Sequence, residues 1–240
     1  MKKLIITALL TAFICKTGVL IAQKHDLTAT YNRSVKLAMI ADSSQNIDTL
    51  MAIVPSNSLL QWKTINGQKY VLFGSFTNRQ DQFPQGDSTT LKGQIWLFIP
   101  GQMHKRLDGK ITAKTDTILR LNEMLGLPPV SGYTHIAQFW VHADSIFRPA
   151  GNPDVTLTRA SGVLSPGVTE KYKLWFNNNI INSYFKPLPP GQVYYPWTRM
   201  GYTYDWAPRT NRVGLSEFVM QANSGIWVEK VYKASDYFKK

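Results

Sequence analysis

The chain has 240 residues, 44% hydrophobic, 12% aromatic and 18% charged, a mixture that folds around a core and excludes an intrinsically disordered or fibrous protein. Lys and Arg outnumber Asp and Glu by 27 to 15, a formal charge of +12, which directs attention to nucleic acid, anionic lipid or acidic substrates as partners.

Lys2 and Lys3 precede an apolar run from Leu4 to Ile14, the charged start and short apolar middle of a secretory signal. Residues 1–22 are therefore expected to be a signal peptide cut after Ala22, which sends the chain to the periplasm, the cell surface or the medium. Bulky Phe13 and Ile14 ahead of Cys15 argue against lipid attachment. Lys16 inside the run argues against an uncleaved anchor. No other stretch approaches the ~20 apolar residues of a spanning helix, so no spanning segment is expected in the mature chain. Removing the signal takes away three lysines, no acidic residue and Cys15, which leaves a net +9 and no cysteine. Such a mature chain has no disulfide, no thiolate nucleophile and no cysteine metal ligand.

Residues 23–58 are polar and show no consistent period, and they read as a strand or two and loops. Residues 59–65 and 68–76 are apolar, β-branched or aromatic runs joined by Asn66-Gly67, a pair that tolerates positive φ at both central positions of a hairpin. A hydrophilic turn over 78–90 leads to a third strand over 94–99, ended by Pro100-Gly101, and the three strands can form a meander. The period then changes. Thr115 or Asp116 can cap a helix through Ile118, Leu121 and Leu125, with Gly126 and Pro128-Pro129 as its stop. Residues 133–142 return to strand composition, and Pro149, Pro153 and Pro166 mark a long loop. A second helix covers 168–184, and 215–221 and 226–232 read as closing strands. Strand runs separated by isolated helices predict an α+β fold, β-rich, with antiparallel sheet and about two helices. Residues 23–240 are expected to form one domain, with a candidate subdivision near 101–115.

No Walker loop, G-x-S-x-G elbow, H-E-x-x-H or G-x-G-x-x-G pattern occurs, so nucleotide hydrolases and zinc proteases lose their usual support. His135 and His142 are seven apart, on opposite faces of a regular strand, and cannot jointly hold a metal there. His142 and Asp144 have the even spacing that one face requires, but a structural role at a strand end is the ordinary fate of such a histidine. No metal or cofactor is expected. The densest signal is Tyr195-Pro196-Trp197-Thr198-Arg199-Met200-Gly201-Tyr202-Thr203-Tyr204-Asp205-Trp206, followed by Gly214-Leu215-Ser216-Glu217-Phe218. If exposed, Trp197, Tyr202 and Trp206 can stack on a ligand, Arg199 can fork to a phosphate or carboxylate, and Asp205 or Glu217 can carry a proton. The same rings can equally be core. Arg148, in Phe147-Arg148-Pro149, can reach into a cleft or bond loop carbonyls. Glu217 lies in an apolar strand and, if it points inward, needs a partner such as Arg199.

Residues 125–129 (Leu-Gly-Leu-Pro-Pro), the strand Phe139-Trp140-Val141 leading to Phe147-Arg148-Pro149, and the blocks 195–206 and 214–219 together resemble a family of exported bacterial proteins of uncharacterised function. The resemblance runs from roughly Tyr70 to Val231. It implies export and no particular activity, cofactor or fold. Some members carry a cysteine after the Arg-Pro pair, where this chain has Ala150, so a disulfide is optional at that point.

Two functions follow from these residues. The first is an exported, non-catalytic binding or envelope-associated protein, its partner a small molecule or an envelope component, in which Tyr202, Trp206 and Glu217 are buried with no cleft between them. The alternative is an extracytoplasmic hydrolase or transferase acting on a glycan or a phosphorylated small molecule. There Arg148 and Arg199 would hold the anionic group and Asp205 or Glu217 would move the proton, which requires those side chains to converge on one open pocket. Nucleic-acid binding is disfavoured, because the basic residues are spread along the chain rather than gathered in a tract.

Overall fold

In a computed structural model, described for residues 27–208 and 210–239, the chain is built on a nine-stranded antiparallel sheet. The expected signal peptide and Cys15 lie outside the described residues. The strands are β1 (Trp62–Ile65), β2 (Gln68–Thr77), β3 (Ser88–Thr90), β4 (Ile95–Phe98), β5 (His135–His142), β6 (Ile146–Phe147), β7 (Tyr202–Tyr204), β8 (Val213–Met220) and β9 (Gly225–Lys233). Their order is β3-β9-β5-β2-β4-β8-β6, with β1 added to β2 and β7 to β8. β2 is the centre of this arrangement. One of its edges pairs with β5 over eight residues, from Tyr70↔His142 to Thr77↔His135. Its other edge is shared end to end by β1 and β4, so the expected three-strand meander is replaced by two short strands in tandem beside one long one. Asn66 (φ 51°) and Gly67 (φ 76°) form the two-residue turn between β1 and β2, with Ile65 opposite Gln68. Both lie in the left-handed region that the right-handed twist of a tight hairpin demands.

The helices are α1 (residues 27–40), α2 (Pro100–Leu107), α3 (Thr117–Met124) and α4 (Glu170–Tyr184). Among the described residues four helices stand where about two were expected, and both additions have physical reasons. Residues 27–40, read as strand and loop, are helical because Tyr31, Ser34, Val35 and Ala38 recur at helical spacing and are all buried. Ser34 hides that stripe in the sequence, and its hydroxyl is satisfied by donating to the Tyr31 carbonyl at 2.6 Å. α2 begins at Pro100, the residue expected to end the preceding strand. Proline at the first helical position forfeits only an amide that has no intrahelical partner.

α3 and α4 follow the local signals. The Asp116 side chain accepts from the Leu119 amide and Thr169 accepts from the Tyr172 amide, each satisfying an orphan donor of the first turn. α3 ends with Leu127 N–H donating to Asn122 O and Gly126 N–H to Glu123 O, the paired bonds of a glycine-terminated helix.

The sheet is covered on both faces, so its central strands read as continuous apolar runs rather than alternating ones. Val71, Phe73, Phe139, Val141, Phe218 and Val228 belong to one core. Phe76, Phe98, Ile136 and Leu215 belong to another, closed by Met103 and Leu107 of α2 and Leu121 and Met124 of α3. A third cluster joins α1 and α4 through Tyr31, Val35, Tyr172, Phe176, Trp197, Tyr204 and Trp206. Strands from before and after residues 101–115 are interleaved within the sheet.

Candidate functional site

The aromatic block folds back on itself. Trp197 bridges to Thr203, the Thr198 hydroxyl donates to Tyr202 O at 2.6 Å, and Arg199 and Gly201 take φ of 62° and 80°. A side chain at position 201 would place its Cβ 2.7 Å from Arg148 Cδ, so glycine serves both the turn and the close approach there. Trp197 is 5% exposed and donates its indole N–H to Pro149 O at 3.1 Å. Tyr202 and Trp206 are likewise buried, with Tyr202 donating to Gln45 O at 2.8 Å and Trp206 to Leu127 O at 2.9 Å. The rings therefore use their polar tips to tie distant loops to the core.

Arg148 is fully buried beneath this turn. Its Nη2 donates to the carbonyls of Met51 at 3.0 Å, Val155 at 3.3 Å and Leu157 at 3.0 Å, and its guanidinium lies 5.0 Å from the Phe218 ring centre. Of the two roles open to it in the sequence, the structure displays the carbonyl-binding one. Burial lowers its pKa to about 10, so it stays charged at neutral pH. Glu217, on β8, is 5% exposed, and its Oε1 has no hydrogen-bond partner among the described residues. Burial pushes its carboxyl up to about 8, against the opposing pull of the Arg148 charge. The charge beside Glu217 is thus Arg148 rather than the expected Arg199. Arg199 turns to α1, donating from Nη2 to Met39 O, with its guanidinium 5.9 Å from the Tyr184 ring centre.

Asp205 belongs to a different cluster. Its side chain is wholly buried, and Arg120 on α3 donates to both of its oxygens, at 3.0 and 2.6 Å. Glu123 stands 3.3 Å from the same guanidinium. Arg120 was not singled out in the sequence. Its spacing from Glu123 on one helix turn was the only local signal for it.

Beside this pair lies an open hollow of about 280 Å³ between α1 and the turn 204–212, lined among others by Arg33, Leu37, Tyr204, Asp205, Trp206 and Arg212. Of the seven residues singled out in the sequence, Asp205 and Trp206 border this hollow, whereas Arg148, Trp197, Arg199, Tyr202 and Glu217 do not. Two of the described histidines lie away from the hollow: His142 Nδ1 is 3.7 Å from Asp144 at the surface, and His104 stacks on Tyr237. Among the described residues no three His, Cys, Asp or Glu side chains gather as metal ligands, and no helix is long and apolar enough to cross a membrane.

Comparison with protein-family models, with curated proteins and with solved structures gives no match.

Proposed function

We propose that this protein is an exported, non-catalytic binding module of the bacterial envelope. The observation that supports this reading is the condition of the chemically able side chains. Arg148 and Asp205 are fully buried and hydrogen-bonded to other protein groups, and Glu217 is buried without lining the hollow that Asp205 borders. A proton carrier must come within hydrogen-bond reach of a substrate, and Glu217 is enclosed by protein instead. The leader-like residues 1–22 support export, and the basic surplus suits an anionic envelope surface. The alternative, a hydrolase or transferase, would draw on Asp205, which borders the hollow.

Two measurements test the proposal. Fractionation of cells expressing the chain with and without residues 1–22 should place only the longer form outside the cytoplasm. Assays on aryl phosphates, aryl glycosides and envelope glycans should show no turnover, and turnover that disappears in Asp205→Asn would establish the enzyme instead.

A further inference from the structure

We infer that the hollow between α1 and the turn 204–212 binds the phosphate group of a small molecule or a headgroup, an inference that rests on the reading of the protein as a binding module. Three residues that carry donors line it from separate elements. Arg33 comes from α1, Arg212 from the far end of the turn and Tyr204 from β7, and all three line the same space. Among the described residues neither arginine has a carboxylate within ion-pair distance. Burial pushes the Tyr204 phenol up while the charges of Arg212 and Arg33 draw it down. The phenol therefore keeps its proton and is a donor.

The donor set favours phosphate over a monocarboxylate. Two guanidiniums match a dianion in charge, and a tetrahedral group offers oxygens to donors arriving from three sides. Asp205, the acidic group of the lining, accepts two hydrogen bonds from Arg120, a guanidinium that also reaches Glu123. Arg212 also holds a left-handed backbone at φ 66°, fixed by its N–H on Thr210 Oγ1 and its carbonyl on the Asp205 N–H. Glycine fills that conformation with less strain, so Arg212→Gly removes the guanidinium without straining the turn.

Titration calorimetry of the exported chain with inorganic phosphate tests the inference. One saturable site is expected, weakened about tenfold or more by each of Tyr204→Phe, Arg33→Gln and Arg212→Gly. In phosphate-free urea Arg212→Gly should unfold no earlier than the parent, which separates ligand binding from folding. No saturable heat up to about 10 mM phosphate, or binding that all three variants leave intact, would overturn the site. Sedimentation with phosphatidylglycerol vesicles, lost in Arg33→Gln, assigns the phosphate to a lipid headgroup, and phosphate binding without it assigns a free solute. Turnover that depends on Asp205 would defeat the non-catalytic reading while leaving the phosphate site standing. Absent phosphate binding would do the reverse.

Discussion

Arg120 and Asp205, 85 residues apart in sequence, meet through two hydrogen bonds of 3.0 and 2.6 Å, with the carboxylate wholly buried and the guanidinium one-fifth exposed. The pair fastens α3 to the end of the aromatic block. It also supplies an acidic wall of the hollow with its countercharge.

Removing one member of such a pair leaves the other charge buried and uncompensated, which costs about 3–5 kcal/mol, more than the intact pair is worth against an apolar replacement. Arg120→Met should therefore destabilise by about 3 kcal/mol or more in urea unfolding. The double variant Arg120→Met/Asp205→Leu should be less destabilised than the sum of its two single changes. Strict additivity would mean that the two side chains are not coupled.

Glu217 gives the fold a pH dependence of known sign. Its carboxyl is raised from 4.5 to about 8 by burial, so between those values the folded chain holds a proton that the unfolded chain has released. Unfolded chains then bind fewer protons than folded ones, and the contribution of Glu217 to stability falls as pH rises through that window. Below it the neutral acid is tolerated; above it the charged form is fully unfavourable. Glu217→Gln keeps the shape without the charge, and it should match the parent at pH 4.5 and exceed it by several kcal/mol at pH 8 or above. Urea unfolding across the window measures the difference, and an advantage independent of pH would show that Glu217 does not titrate there.

What could be read in the chain was local. The β1–β2 turn was marked by Asn66-Gly67 and the start of α3 by Asp116, because each is decided by neighbouring residues whose φ values or caps leave few choices. α1 escaped because one position of its buried stripe is Ser34, whose polarity is cancelled only by its own helix backbone. α2 escaped because Pro-Gly can end a strand or open a helix, and the close seat of Gly101 against the Leu59 backbone, which chooses between them, is a tertiary fact. The candidate site divides in the same way. The aromatic block was visible as a concentration of rings, but its division between core and hollow depends on α1. Arg33 and Arg212 come together only because α1 lies across the turn 204–212.

Arg199 holds two opposing effects that a pair of substitutions can separate. Its φ of 62° is strained for any side chain bearing a Cβ, and its guanidinium fastens the aromatic turn to α1 through Met39 O. Arg199→Ala keeps the strain and loses the bond, at a cost of about 1.5–3 kcal/mol for a hydrogen bond to a charged group. Arg199→Gly loses the same bond but relieves about 1 kcal/mol of backbone strain, so it should be the milder change by that amount. Both should expose α1 to limited proteolysis sooner than the parent, because the tie to the carboxyl end of that helix is gone in each. Equal stability of the two variants would show that the left-handed backbone carries no strain, and unchanged cleavage of α1 in both would show that Arg199 does not anchor it.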